Sequence, residues 1–235
     1  MISEKIFIRN YWGFWDSLFP LHRAFLKGVV MECAQEQHEI KLTTSGRRFS
    51  FVSEIGFQIF SIAITKQVSI DSIGFGSTLY NDIQRRCIQQ FELFQDDDST
   101  ICEPLSKPEF SDAISISHVL KNRFKGQELT ISPKFRGCGI IDTCYGDILV
   151  ADTLFEIKAV NRNFHVVDFR QLITYCCLNH ISKAYAINSI GLFNPKRGMC
   201  YTIPLDLFSS AIAGIDINDL YWEIINFISQ EETSK

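Results

Sequence analysis

The chain has 235 residues, 46% of them apolar and 21% charged, with a formal net charge of −4. That length can bury a sizeable core, and the balance is that of a soluble globular protein, excluding a disordered, collagen-like or coiled-coil chain. Residues 1–103 carry 10 Lys and Arg against 13 Asp and Glu, and residues 104–235 carry 13 against 14. A basic coat is therefore excluded, and any contact with nucleic acid needs a local positive patch.

The opening stretch is broken by Glu4, Lys5, Arg9 and Asp16 and lacks the apolar centre of a signal peptide. No later stretch approaches a membrane span, so no membrane partner is expected. The eight cysteines include no C-x-x-C spacing, and the adjacent Cys176 and Cys177 cannot readily bridge each other. Reduced thiols in a cytoplasmic protein are expected, with no zinc or iron–sulfur site.

Residues 11–26 are rich in aromatics and predict a helix. Residues 38–51 alternate through Ile40 and Leu42, reach Ser45-Gly46 and return through Phe49 and Phe51, which predicts a β-hairpin, with 55–70 continuing as strand. Residues 77–94 predict a helix with Ile83, Cys87, Ile88 and Phe91 inward. The acidic run at 95–100, followed by Pro104 and Pro108, reads as a linker. It divides an N-terminal α+β domain (1–97), for recognition or partner docking, from a second domain (104–235).

In that second part, 110–124 predict a helix with Ser111 and Asp112 near its cap. Strands are expected at 128–131, 139–150 and 153–160, a helix at 167–180, then strands at 185–193 and 199–203 around the turn at 194–198. Helices at 205–213 and 217–228 close the chain. The expected fold class is α/β, a central mixed sheet flanked by helices.

Chemistry concentrates in GDILVADTLFEIKAV, residues 146–160. If Ala151-Asp152 form a two-residue loop, Val150 opposes Thr153 and Asp147 opposes Glu156. Opposed residues share a sheet face with Cβ atoms about 5 Å apart, and Lys158 joins them by the period of two. Ile148, Phe155 and Ile157 then point into a core. Two facing carboxylates repel, and Mg²⁺, which takes one or two carboxylates together with water and phosphate oxygens, removes the repulsion. Phosphodiester hydrolysis uses this set: metal on Asp147 and Glu156, and Lys158 to orient water or offset charge on the phosphate.

Asp147, Glu156-Ile157-Lys158 and then Gln171-Leu-Ile-Thr-Tyr175 resemble the PD-(D/E)xK nuclease superfamily, and more narrowly its RecB-like branch with Q-x-x-x-Y. The resemblance spans about residues 108–203. It implies a restriction-endonuclease-like core and a nuclease dependent on Mg²⁺ or Mn²⁺, with the backbone carbonyl of Ile157 as a further ligand. Gln171 and Tyr175 share a helix face and would brace the site or meet the DNA backbone. Gly139-Ile-Ile-Asp142 has the G-x-x-D form in which the branch often carries the aspartate, so Asp142 is the alternative to Asp147. The superfamily's proline is absent. A further ligand on the first helix would be His118, or Glu128 after it. Arg162, His165, Arg170, Lys196 and Arg197 could supply the positive patch. The last two also suit an ordinary exposed turn.

The expected function is a nuclease acting on nucleic acid, DNA first, in restriction, repair or phage defence. The family implies a helicase or ATPase partner, and a homodimer would suit double-strand cleavage. The alternative is a non-catalytic subunit of the same fold that binds nucleic acid or a protein.

Overall fold

The computed structural model describes residues 1–34, 39–44, 46, 48–92 and 103–233. Seven strands and nine α-helices form among these residues. Five strands make the central sheet, in the order β1 (Leu129–Ile131), β4 (Ile148–Val150), β5 (Thr153–Ile157), β6 (Ser189–Asn194), β7 (Met199–Pro204). β5 and β6 are parallel and the other neighbours antiparallel, so the sheet is mixed and the fold class is α/β. A parallel pair needs a crossover, and α7 (Val166–Ser182) supplies it. β2 (Lys134–Phe135) and β3 (Cys144–Tyr145) form a separate two-stranded ladder.

The two sheet faces bury different partners. Leu149, Leu154, Ile190 and Leu192 pack with α7 and with Phe7, Trp15 and Phe25. These aromatics come from α1 (Glu4–Asn10), α2 (Trp12–Leu18) and α3 (His22–Cys33). The same cluster takes in α8 (Leu205–Ile212) and α9 (Ile217–Thr233). The opposite face, with Ile148, Val150, Phe155 and Phe193, packs against α4 (Arg48–Thr65) and α6 (Lys107–Arg123). α4 continues into a third cluster with α5 (Thr78–Glu92). Residues 1–92 thus do not gather into one core: helices α1–α3 cover one face of the sheet and α4 the other. The α+β character expected for residues 1–97 is corrected, because the regular elements among the described residues there are all helices, with one isolated bridge between Ile2 and Ile141.

The predicted hairpin at 38–51 and the strand at 55–70 are likewise corrected. Residue 38 and parts of the turn lie outside the described residues, but the supposed return is the start of α4. Phe49 and Phe51 alternate over too short a window to decide. The longer run Val52, Ile55, Gly56, Ile59, Phe60, Ala63 is buried at steps of three and four, which is helical. Gly56 lets this helix lie close to α6, since a Cβ there would stand 2.9 Å from the carbonyl oxygen of Ala113. The helix expected at 11–26 breaks at Pro20 into α2 and α3. Of the strand expected at 139–150 only 144–145 and 148–150 are strand; at its start Gly139 takes a left-handed φ of 56° and lies against the backbone of Ile228, where no side chain fits. Phe91's side chain and the linker at 95–100 lie outside the described residues. No helix among the described residues is long and apolar enough to cross a membrane. Cys176 and Cys177 are both buried thiols.

The start of α6 is also corrected. Ser106 and Glu109 form a capping box: Ser106 donates through its backbone N–H and its hydroxyl to Glu109, both at 2.8 Å. The Arg48 Nε donates to Glu109 at 2.7 Å and holds its pKa down to about 2. Asp112 instead anchors the segment before α4. Its Oδ2 accepts from the backbone and hydroxyl of Thr44 at 2.7 and 2.6 Å and from those of Thr43 at 3.0 and 2.9 Å. Burial works against the charge, but these donors outweigh it and lower the carboxyl's pKa. Asp112→Ala leaves four donors unmatched and should lower stability by about 2–3 kcal/mol at neutral pH in urea unfolding. Because the folded pKa is depressed, this difference should be fully present above the ordinary carboxylate range. It should shrink as pH falls through the folded value.

Candidate active site

The β4–β5 hairpin turns on Ala151-Asp152, and its pairs are Val150 with Thr153, Leu149 with Leu154 and Ile148 with Phe155. The next pair outward is Asp147 with Glu156. Asp147 Oδ2 accepts from the Ile157 backbone N–H at 2.7 Å, tying the aspartate across the hairpin at the carboxyl end of β5. Parallel α/β sheets characteristically place ligands at such ends. Ile148, Phe155 and Ile157 pack on the opposite face, so Ile157 meets the cleft through its main chain.

Glu156 is only 5% exposed. Its Oε1 accepts from Lys158 Nζ at 2.9 Å, while its Oε2 is buried without a hydrogen-bond partner. Lys158 Nζ also donates to Gln171 Oε1 at 2.7 Å, and Gln171 Nε2 donates to the Tyr175 hydroxyl at 2.7 Å. The i, i+4 spacing on α7 puts both side chains on one side of the helix, where Gln171 reaches the lysine and Tyr175 holds Gln171.

The electrostatics are those of a crowded acidic site. Burial pushes Asp147 well above the usual carboxylate range, and the charge of Glu156 adds to this; the Ile157 N–H opposes it. Burial raises Glu156 too, against the pull of Lys158. Lys158 would be lowered by burial, but Glu156 and Asp168 outweigh that and raise it. Burial, then the charges of Glu156 and Glu4, pushes the Tyr175 hydroxyl well up, so it keeps its proton.

Asp147, Glu156, Lys158, Gln171 and Tyr175 all line one cleft of about 810 Å³. Three walls of it were not foreseen. Ser3, Glu4, Lys5 and Arg9 come from the N-terminal segment, Glu54 from α4, and Asp168 from the first turn of α7. Glu4 and Glu54 lie outside the residues that resemble the nuclease pattern, and nothing in their local spacing marks them. Asp168 was legible: it accepts from the His165 backbone N–H at 2.8 Å, three residues before it, as a helix-capping acid does.

Other expected residues are placed differently. Asp142 is exposed at the cleft rim and accepts from the Thr143 N–H at 2.7 Å, whereas Asp147 is the residue opposed to Glu156. His118 faces Asp71, with Nε2 at 2.9 Å, and is outside the cleft. Glu128 precedes Leu129, which pairs with Val150, so it sits at the turn end of the hairpin, remote from Asp147. Arg162 lines the cleft but is locked to Asp168 by two bonds of 2.7 and 2.9 Å. Arg170 turns away, donating to Asp16 at 2.9 Å with its guanidinium 5.7 Å from the Trp15 ring centroid. It joins α7 to α2. Lys196 rests 4.5 Å from the Phe49 ring centroid and Arg197 donates to Asn163 at 2.7 Å; neither lines the cleft. Their backbone N–H groups both donate to Asn194 Oδ1, which is ordinary turn chemistry.

Among the described residues no group of three or more His, Cys, Asp or Glu could hold a metal ion. A hard divalent cation nevertheless suits two carboxylates, a main-chain oxygen and water. The unpartnered buried oxygen of Glu156 and the mutual repulsion of the two acids fit such a cation. No protein-family model matches the chain, and no curated protein matches it. The functional reading therefore rests on the geometry of the site.

Proposed function

We propose that the protein is a divalent-metal-dependent nuclease that hydrolyses phosphodiester bonds, DNA first. The observation that carries the reading is the opposed pair Asp147 and Glu156, with a buried Glu156 oxygen lacking any partner, directly beside Lys158 in an open cleft. Asp147, Glu156 and the main chain of Ile157 would hold Mg²⁺ or Mn²⁺. Bound there, the ion would polarise the scissile phosphate and lower the pKa of a water. Lys158 has three N–H donors, and Glu156 and Gln171 take two of them. The third is available to a phosphate oxygen or the attacking water, held in direction by the first two. Tyr175, keeping its proton, acts on Gln171 and not as a base.

The test is cleavage of single- and double-stranded DNA and of RNA with Mg²⁺, Mn²⁺ or EDTA, alongside folded Lys158 and Asp147 variants. Metal-dependent cutting lost in the variants supports the reading. Metal-dependent binding with no cutting favours the non-catalytic alternative, and cutting that survives the variants means the site is elsewhere.

On this proposal the cation binds before the nucleic acid. It is lined by six carboxylates against four basic side chains, so without a cation its field repels a polyanion. Binding of a DNA oligonucleotide should be weak in EDTA and at least tenfold tighter with Ca²⁺, a cation chosen to bind without supporting cleavage. Fluorescence anisotropy at fixed ionic strength measures this.

A further inference from the structure

Glu4 is buried to 8% exposure on α1, and its Oε1 lies 3.4 Å from the Tyr175 hydroxyl. A chain of side chains then runs from Glu4 through Tyr175 and Gln171 to Lys158 and Glu156. The protons along it can be placed by elimination. Lys158 is a pure donor, so the Gln171 atom facing it must be the carbonyl oxygen. The amide nitrogen therefore faces Tyr175, whose hydroxyl oxygen must accept. The hydroxyl's own proton is then left to find another acceptor, and Glu4 is the one beside it.

We infer that Glu4 is a positioning residue for Lys158: by taking the Tyr175 proton it keeps the Gln171 carbonyl turned toward the lysine. Remove the acceptor and the buried hydroxyl has only Gln171 to donate to. A buried donor without a partner is costly, so Tyr175 and Lys158 then compete for one carbonyl oxygen. Where the hydroxyl wins, the amide turns its NH₂ toward the ammonium, and the lysine loses one of its two anchors.

The supporting frame is packed into the core. Phe7 and Ile8 of α1 are buried in the same cluster as Tyr175, and Trp15 Nε1 donates to the Phe7 carbonyl at 3.2 Å. The helix thus sets Glu4 against Tyr175 from an element over 160 positions away in sequence. The catalytic consequence rests on the nuclease reading; the orientation of Lys158 does not.

Two readouts separate these. In the metal-free protein, ¹⁵N-detected lysine side-chain spectra report the Lys158 ammonium, slowly exchanging when two acceptors hold it. With Mg²⁺, kcat reports its function. Glu4→Met should lose the slow Lys158 signal and lower kcat about tenfold, with little change in KM. Glu4→Gln, which keeps an acceptor oxygen, should retain both. The discriminating variant is Glu4→Met combined with Tyr175→Phe: with no hydroxyl proton to place, the defect should disappear, leaving the double variant as active as Tyr175→Phe alone. A Glu4→Met signal and rate like the wild type overturn the inference. So does a defect that Tyr175→Phe leaves in place or deepens, as a plain wall residue would give. The expected spectra in a protein that cuts no polymer uphold the positioning and overturn the nuclease reading.

Discussion

Lys158→Met is expected to reduce metal-dependent cleavage by about 10²–10³-fold and to destabilise the fold. The two effects share one cause. Lys158 and Glu156 are a buried pair, with side chains 18% and 7% exposed and 2.9 Å between charges. Removing one partner of such a pair leaves the other's charge uncompensated and costs about 3–5 kcal/mol. Glu156 already has one oxygen without a partner; in the variant the other loses its lysine, and the carboxyl's pKa, already raised by burial, should rise further. The loss of activity follows from losing the donor aimed at the phosphate. Urea unfolding and single-turnover cleavage together check this, and Lys158→Arg helps to interpret them. Arginine keeps the charge but not the compact ammonium, so it should recover stability more than rate. A variant that cuts at the wild-type rate would remove Lys158 from the mechanism.

Asp147→Asn is expected to separate stability from activity: cleavage lost, metal-free protein stabilised. Asparagine keeps an oxygen to accept from the Ile157 N–H, which in the wild type binds Asp147 at 2.7 Å. It removes a charge that burial and Glu156 oppose. The Lys158–Glu156 pair is untouched. The gain should be about 1 kcal/mol or more, which for a chain of this size is ~2–4 °C in melting temperature. The pH dependence has a definite sign. Asp147 and Glu156 bind protons more readily folded than unfolded, since both pKa values are raised by folding. Their contribution to stability is therefore fully present below the ordinary carboxylate range and lost as pH rises through their raised folded values. Metal-free wild type should lose stability over that window and Asp147→Asn should lose less. Mg²⁺ should restore it in the wild type and do little for the variant, because a ligand bound only to the folded state stabilises by mass action. Differential scanning fluorimetry across pH, with and without Mg²⁺, measures all of this. A variant less stable than wild type at neutral pH would show that the two acids do not oppose each other.

The sequence by itself determined the hairpin register, and with it the facing of Asp147, Glu156 and Lys158. A two-residue loop and a side-chain period of two leave one arrangement that buries Ile148 and Phe155. It also determined that Gln171 and Tyr175 share a side of α7, because a four-residue step on a helix is nearly one turn. These are local rules, and they hold wherever the element forms. The same rules failed for α4, where a three-residue alternation in Phe49 and Phe51 hid a twelve-residue helical stripe from Val52 to Ala63.

Only the tertiary structure decided which basic and acidic groups share the cleft. Arg170 was close in sequence to the motif, yet it points to Asp16, because the side of α7 that carries it faces α2. Lys196 and Arg197 were similarly taken by Phe49 and Asn163. Glu4 and Glu54, far outside the motif, face the site because α1 and α4 must bury Phe7 on one side of the sheet and Phe57 on the other. A charged side chain's partner is set by what packing brings within a few ångströms. That depends on contacts among distant segments, which spacing along one segment does not encode.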